Sequence, residues 1–121
     1  MHILLVEDSE LVTDALRILL ESTGRRVSIA ATVAAARVEI ESDPPDVILL
    51  DLTLPDGSGL DVARFARQRI PAAVILAMTG HDDPAVDAAC RAAGCREVLV
   101  KPVSNRLLVD TLDALPPPQH G

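Results

Sequence analysis

The sequence predicts an α/β domain in which a central parallel sheet is covered by helices on both faces. Five short apolar runs alternate along the chain with five segments whose apolar residues recur at helical spacing. The connections between these segments are short and rich in turn-forming residues. Because short strand-to-helix connections favour right-handed crossovers, strands that alternate with helices lie parallel in one sheet. The length of 121 residues fits one domain with a core of its own.

The first part of the chain predicts two strands and two helices. The apolar run Ile3–Val6 has the length of a buried strand, and the polar residues after it end that strand. The apolar positions of the following helix recur at helical spacing; they are Leu11, Ala15, Ile18 and Leu19. Gly24 lies where a C-terminal helix cap is expected. A second strand is predicted at Arg26–Ala30 and a second helix at Val33–Ser42, which Pro44 ends.

The most informative stretch is residues 47–59. Four apolar residues run without a polar break into Asp51, as in a strand that is buried on both faces. Proline, aspartate and glycine follow and predict a loop. Asp51 therefore lies at the carboxyl end of a central strand, which is where ligands bind in open α/β sheets. Ser58 is predicted to cap a third helix that runs to about Gln68.

The fourth strand and fourth helix have clear boundaries. Ala73–Met78 is apolar almost throughout and predicts a strand, and a polar loop follows it. Asp83 before Pro84 matches an N-cap with proline at the first helical position. The helix is predicted to end at Gly94.

A fifth strand, Glu97–Val100, precedes the last helix, which Ser104 is predicted to cap. One side of that helix carries the positions Leu107, Leu108, Thr111, Leu112 and Leu115. A run of three prolines follows. We therefore divide the chain into one domain, residues 1–115, and a proline-rich tail or start of a linker, residues 116–121.

Composition excludes several classes of function. The net charge of −7 disfavours direct binding to the phosphates of DNA or RNA. No apolar stretch is long enough to span a bilayer, and the chain starts without a basic region that would resemble a signal peptide. We therefore expect a cytoplasmic protein without membrane insertion. Cys90 and Cys95 are interpreted as two reduced thiols rather than as a metal or redox pair.

Polar residues follow four of the five predicted strands. Glu7 and Asp8 follow the first strand, Asp51 ends the third, Thr79 follows the fourth and Lys101 follows the fifth. Because the carboxyl ends of parallel strands meet at one edge of the sheet, these side chains are expected to lie close together. This convergence is a stronger signal than any one of the residues.

The chemistry of such a cluster is limited. Three carboxylates repel one another, and a hard divalent cation such as Mg²⁺ relieves that repulsion. Lys101 adds a cation that suits a phosphoryl oxygen, and the hydroxyl of Thr79 can donate to a similar oxygen. Gly80 leaves room for a tetrahedral group beside them. The set favours phosphoryl transfer onto Asp51, in which positioning and charge neutralisation supply most of the catalysis.

Four motifs in this order resemble the receiver (phosphoacceptor) domain of two-component response regulators. They are Leu4-Leu5-Val6-Glu7-Asp8, the stretch 47–59 around Asp51, Met78-Thr79-Gly80 and Val98-Leu99-Val100-Lys101-Pro102. The resemblance covers the chain from Ile3 to about Leu115. It implies a flavodoxin-like (βα)5 fold, a doubly wound parallel sheet with strand order 2-1-3-4-5.

The resemblance also implies the roles of the acidic residues. Asp51 would accept a phosphoryl group from a histidine kinase or phosphotransfer protein. Asp8 and Asp51 would bind Mg²⁺, Glu7 would act through water, and the backbone carbonyl of Thr53 would complete the protein ligands.

Further expectations concern the last strands. Thr79 and Lys101 would hold the phosphoryl oxygens, and the peptide bond from Lys101 to Pro102 is expected to be cis. Family members usually carry an aromatic residue where this chain has Val98, and the rotamer of that residue is linked to phosphorylation. Val98 cannot make that movement, so coupling through this position is not expected here.

The function that follows is a conformational switch in phosphorelay signal transduction, not an enzyme that turns over a separate substrate. The implied partners are a histidine kinase or phosphotransfer protein, a downstream protein partner or a lost output domain, and a phosphorylation-linked dimer. The first helix, with Leu11 and Ala15 near the site, is the expected kinase-docking element.

Three alternatives remain open from the sequence. A phosphorylation-independent interaction module with the same fold is supported only by Val98. An aspartyl-phosphate phosphatase usually has a second acid two residues after its nucleophile, where this chain has Thr53. A flavin carrier would need a phosphate loop rich in serine and threonine after the first strand and aromatic residues to stack the ring; aromatics are 1% of this chain.

Overall fold

The computed structural model describes residues 1–116, which form a three-layer α/β domain. The predicted tail, residues 116–121, lies outside the described residues from position 117 onward. The strands are β1 (His2–Val6), β2 (Arg26–Ala30), β3 (Val47–Asp51), β4 (Thr53–Leu54), β5 (Gly57–Ser58), β6 (Val74–Thr79) and β7 (Glu97–Val100). The helices are α1 (Glu10–Ser22), α2 (Val33–Ser42), α3 (Gly59–Arg69), α4 (Pro84–Ala92) and α5 (Asn105–Asp113).

The main sheet is parallel and has the order β2-β1-β3-β6-β7. Without the small β4–β5 hairpin, this is the predicted order 2-1-3-4-5, so the flavodoxin-like fold class is confirmed. β3 lies at the centre and all five of its residues are buried. The sheet therefore places the carboxyl end of β3 between the carboxyl ends of β1 and β6.

Two apolar cores lie on opposite faces of the sheet. Because strand side chains alternate between faces, Ile48 and Leu50 enter one core while Val47 and Leu49 enter the other. α2, α3 and α4 cover the first face, and α1 and α5 cover the second. Within residues 1–116, no helix combines the length and the apolar character needed to cross a membrane.

Helix capping follows the predicted signals. The side chains of Ser58, Asp83 and Ser104 accept hydrogen bonds from backbone N–H groups in the first turns of α3, α4 and α5. Gly24 and Gly94 follow the ends of α1 and α4 with φ angles of 84° and 110°, a region that favours glycine. α4 ends at Ala92, just before the predicted Gly94.

The loop predicted after Asp51 contains a short hairpin. Thr53 pairs with Ser58 and Leu54 with Gly57 in an antiparallel ladder, β4–β5. Its strands have two residues each, which is too short for an alternating pattern to be recognised in the sequence.

The predicted first helix is present as α1, and most of the apolar positions that indicated it lie on its exposed face. Leu11 and Ile18 are 85% and 71% exposed, Ala15 is also exposed, and Leu20 is fully buried. In α5, Leu108 and Leu112 enter the core while Leu107 is 48% exposed. An apolar stripe of α1 and the side chain of Leu107 in α5 therefore remain in contact with solvent.

Candidate functional site

The carboxyl edge of the sheet brings the predicted polar residues together. Asp51 ends β3 opposite Met78 of β6, and Thr79 is the next residue of β6. Thr79 pairs in turn with Val100 of β7, directly before Lys101. The amide of Lys101 donates to the Thr79 carbonyl oxygen at 2.7 Å, so the strand ends are held in register as the chain leaves the sheet.

Three carboxylates form an acidic cluster at this edge. Glu7, Asp8 and Asp51 each offer a carboxylate oxygen, and these oxygens lie within 4.8 Å of one another. Glu7 and Asp51 are buried, whereas Asp8 is exposed. Burial raises the pKa of Glu7, and the charge of Asp51 raises it further. A hydrogen bond from the Ser9 amide and the charge of Lys101 act on that pKa in the opposite direction.

Lys101 supplies the cation of the site. Its Nζ lies 3.3 Å from Asp51 Oδ1 and 3.4 Å from Glu7 Oε2. The side chain is 37% exposed, so the ammonium lies between the buried carboxylates and solvent. The bond between Lys101 and Pro102 is cis, as the resemblance implied.

Thr79 presents a buried hydroxyl beside Asp51's strand. Its Oγ1 accepts a hydrogen bond from the His81 amide at 3.1 Å. Because that bond uses a lone pair, the hydroxyl proton remains available for donation. A Cβ atom built on the adjacent Gly80 would meet nothing within 4 Å, so the space expected there is open. The side chain of His81 is exposed.

The backbone after Asp51 is folded tightly against it. The Thr53 amide donates to Asp51 Oδ1 at 3.3 Å, and the Gly59 amide donates to the Leu52 carbonyl oxygen at 2.9 Å. A Cβ atom at Gly59 would overlap the backbone carbonyl oxygen of Asp51. Glycine is therefore required for close approach, so that α3 can begin directly beside the end of β3.

The donor set suits a hard divalent cation. Carboxylate oxygens are the ligands that Mg²⁺ prefers, and the exposure of Asp8 leaves one side of the cluster accessible to water. Burial is the largest cause of the raised pKa of Glu7, and the charge of Asp51 adds to it; a cation bound beside these groups would favour their charged forms.

Two contributors to this region were missed by the sequence reasoning. The Ser9 amide donates to Glu7 Oε1 at 3.1 Å, and the Asp56 carboxylate accepts from two amides of α2. Ser9 also caps α1, so its position between a strand and an apolar helical segment was a usable signal. No sequence signal indicates the partner of Asp56, because it lies 23 residues away.

The two cysteines lie away from this edge. Cys90 and Cys95 are free thiols and both are buried, as interpreted from the sequence. Val98, which stands where an aromatic residue was expected, is half-buried and packs against the α2–α3–α4 core.

Comparison with known proteins identifies the relatives of this chain. A family model described as the response regulator receiver domain matches residues 3–113. The photosynthetic apparatus regulatory protein RegA of Rhodobacter capsulatus is 35% identical over 98% of this chain and 67% of its own length. The KDP operon transcriptional regulatory protein KdpE of Escherichia coli is 37% identical over 84% of this chain and 44% of its own length.

Solved structures agree with these relatives. A CheY-like response regulator receiver domain protein from Methanospirillum hungatei superimposes with a TM-score of 0.88 at 28% identity. The match covers 93% of this chain and 90% of that chain. The chain thus spans nearly all of a receiver domain structure, about two thirds of RegA and under half of KdpE.

Proposed function

The chain belongs to the response regulator receiver domain family, and on that premise we propose that it is a phosphorylation-controlled switch whose phosphoryl acceptor is Asp51. One observation carries the proposal: Lys101 Nζ lies 3.3 Å from Asp51 Oδ1, beside an acidic cluster in which Glu7 and Asp51 are buried. A lone carboxylate at a strand end has no need of such neighbours. A carboxylate that receives a phosphoryl group needs both a nearby cation and an acidic metal site.

The transfer itself requires little covalent chemistry from the protein. A carboxylate oxygen of Asp51 attacks phosphorus, and the bond from phosphorus to the donor breaks as the acyl phosphate forms. The donor is a phosphohistidine of a kinase or phosphotransfer protein, and the leaving imidazole nitrogen keeps the bonding electron pair. Lys101 offsets charge on the phosphoryl oxygens, and Thr79 donates its hydroxyl proton to one of them.

The residues that would hold Mg²⁺ are Glu7, Asp8, Asp51 and the backbone carbonyl of Thr53. When bound, the cation neutralises charge that accumulates on the transferring group. The protein contributes the preorganised acidic cluster, in which Glu7 accepts hydrogen bonds from the Ser9 amide and from Lys101 Nζ.

The switch follows from the charge that phosphorylation adds, which is about −1.5 to −2. In the structure, Lys101 contacts Glu7 as well as Asp51, and the Thr79 hydroxyl accepts a hydrogen bond from the His81 amide. Movement of either side chain toward the phosphate changes the loops that follow β6 and β7. Because Val98 cannot swing as an aromatic side chain would, these loops carry the signal in this chain.

The exposed stripe of α1 supports docking of the phosphodonor. Leu11, Ala15 and Ile18 are all exposed, and α1 begins two residues after Asp8. A helical partner that covers this stripe would deliver its histidine to the carboxyl edge. The named relatives are regulatory proteins longer than this chain, which supports output through a protein partner or an output domain. We place this action in the cytoplasm.

The test is intact-mass spectrometry after incubation with acetyl phosphate and Mg²⁺. The parent chain should gain the mass of one phosphoryl group. The gain should vanish when Mg²⁺ is removed and in the Asp51→Asn variant, which keeps the shape of the side chain. Thr79→Ala and Lys101→Ala should slow the gain, because each removes a partner of the phosphoryl oxygens.

Failure of the parent chain to gain mass, with this donor and with candidate kinases, would contradict the switch. That result would favour the phosphorylation-independent interaction module instead. Circular dichroism of the same samples shows whether each variant is folded, so that a loss of labelling is not a loss of structure.

A further inference from the structure

Asp56 forms a bridge between the loop after Asp51 and helix α2. Its Oδ1 accepts a hydrogen bond from the Val33 amide at 2.8 Å, and its Oδ2 accepts one from the Ala34 amide at 3.2 Å. The first amides of a helix have no intrahelical partner, and the positive end of the helix dipole favours a carboxylate. These bonds lower the pKa of Asp56, with the Val33 amide as the largest cause.

α2 does not depend on Asp56 alone for its capping. The side chain of Thr32 accepts from the Ala35 amide at 3.0 Å and is the local N-cap of the helix. Asp56 therefore adds a second, long-range cap from the hairpin. Asp56 lies 23 residues after Val33 and 22 residues after Ala34 in the sequence, so the contact joins two separate parts of the fold.

The other end of the hairpin reaches Asp51. Asp56 follows β4 and precedes β5, and across that ladder Thr53 pairs with Ser58. The Thr53 amide in turn donates to Asp51 Oδ1 at 3.3 Å. The base of the loop is closed by the bond from the Gly59 amide to the Leu52 carbonyl oxygen. The hairpin is thus fixed at its base by Gly59 and at its tip by Asp56.

We propose that Asp56 is a positioning residue: by fixing the hairpin tip on α2, it holds the Thr53 backbone against the Asp51 carboxylate. The inference rests on the proposed role of Asp51 as phosphoryl acceptor. Asp56 touches neither the phosphoryl group nor the metal ligands. Its effect passes through the β4–β5 ladder to the Thr53 amide, which orients one oxygen of Asp51, and to the Thr53 carbonyl.

The test compares the parent with three variants: Asp56→Ala, Asp56→Asn and Thr32→Ala. Asp56→Ala removes both bonds of the tip, whereas Asp56→Asn keeps one acceptor oxygen and therefore retains part of the bridge. Thr32→Ala removes a cap from the same helix without touching the hairpin, so it controls for loss of α2 stability. Two quantities are measured: the ¹⁵N–¹H signal and hydrogen exchange of the Thr53 amide, without Mg²⁺, and the rate of labelling by acetyl phosphate with Mg²⁺.

Asp56→Ala should shift the Thr53 signal and speed its exchange by about fivefold or more, as expected for a weakened hydrogen bond. Its labelling should slow by about the same factor. Asp56→Asn should lie between Asp56→Ala and the parent in both measurements. Thr32→Ala should lower the midpoint of urea unfolding but leave the Thr53 signal and the labelling rate at parent values.

Three results would overturn the inference. The first is an Asp56→Ala protein whose Thr53 amide and labelling rate match the parent. The second is a Thr32→Ala protein that reproduces the Asp56→Ala effects, which would assign them to α2 stability. The third applies if Asp56→Ala does not fold: it is an Asp56→Asn protein whose Thr53 amide and labelling rate both match the parent. A parent chain that takes no phosphate would contradict the proposed function instead, and the Thr53 amide would still report whether the bridge exists.

Discussion

Glycine is required at position 59 because other backbone atoms lie close beside it, and not because of its φ angle. A Cβ atom there would overlap the Asp51 carbonyl oxygen and approach the Leu52 Cα to 2.9 Å. Gly59→Ala should therefore destabilise the protein by about 1–3 kcal/mol, since backbone must move to make room. Because the overlapping oxygen belongs to Asp51, labelling of that residue should fall as well. Urea unfolding and acetyl phosphate labelling measure the two effects.

Gly80→Ala is the matched control for this prediction. A Cβ atom at Gly80 meets nothing within 4 Å, so its unfolding midpoint should stay close to that of the parent. Equal stability of Gly59→Ala and Gly80→Ala would contradict the interpretation of the close approach at Gly59.

The two thiols should be inert in the folded protein. Burial raises the pKa of Cys95 to about 12 and raises that of Cys90, and only the thiolate reacts with alkylating reagents. Iodoacetamide at about pH 8 should add no mass to the native chain and two carbamidomethyl groups in urea, where both thiols titrate normally. Rapid modification of the native chain would show that the helix end around Cys90 opens.

At the scale of residues, the sequence indicated which side chains meet at the edge of the sheet better than it indicated their hydrogen-bond partners. Asp51, Thr79 and Lys101 were identified because each directly follows or ends an apolar run, and that position alone brings them to one edge of the sheet. The contacts of Ser9 and Asp56 with this region were not predicted. A hydrogen bond between an aspartate and an amide 23 residues earlier leaves no local pattern.

Among the helices of residues 1–116, α2 receives part of its N-terminal capping from a carboxylate that is distant in the sequence, that of Asp56. The pKa of Asp56 lies below its ordinary value of 3.8, chiefly because of the Val33 amide and also because of the charge of Arg37. A carboxyl whose pKa is lowered by folding stabilises the fold above its unfolded pKa. That contribution is lost as the pH falls through the folded pKa. Capping by Asp56 should therefore be present at pH 5 and weaken below about pH 3.8.

Urea unfolding at two pH values tests this dependence. Between about pH 5 and pH 3, the parent should lose more stability than Asp56→Asn, because the variant has no carboxyl to protonate at this position. All other acidic groups are common to both proteins, so the difference isolates Asp56. An equal loss in the two proteins would show that the carboxylate charge does not contribute to the capping of α2.

The side-chain contacts between helices α2 and α3 were also not predicted from the sequence. Phe65 of α3 lies between two guanidinium groups, with Arg37 at 5.4 Å and Arg69 at 4.9 Å from the ring centroid. Arg69 also pairs with Glu41 of α2 at 2.8 Å. These contacts join α2 to α3, but in the sequence Arg37, Arg69 and Glu41 each resemble an ordinary helical surface position. Spacing predicts which residues share a face and does not predict which neighbouring helix that face meets.

For the whole molecule, the alternation of strands and helices was enough to predict a parallel sheet. Right-handed, short crossovers leave few topologies, and the resemblance selected the order that the structure has. The β4–β5 hairpin was not predicted. The hairpin lies beside Asp51, where the Thr53 amide contacts the carboxylate, and the apolar stripe of α1 faces solvent.

The acidic cluster also makes a prediction about the stability of the whole chain. Glu7, Asp8 and Asp51 repel one another, and Lys101 offsets only part of that charge. Without Mg²⁺, Asp51→Asn should therefore be more stable than the parent, by on the order of 1 kcal/mol. On the proposed function, Mg²⁺ would bind the folded cluster and not the unfolded chain, so at about a hundred times its dissociation constant it should stabilise the parent by about 2.7 kcal/mol.

Thermal unfolding with and without MgCl₂ measures both effects, with NaCl at equal ionic strength as the control for screening. Without Mg²⁺, Asp51→Asn should melt at a higher temperature than the parent. With Mg²⁺ the parent should melt at the higher temperature, because the variant has lost one ligand and is stabilised less by the cation. A parent chain that responds equally to MgCl₂ and NaCl would contradict a specific site.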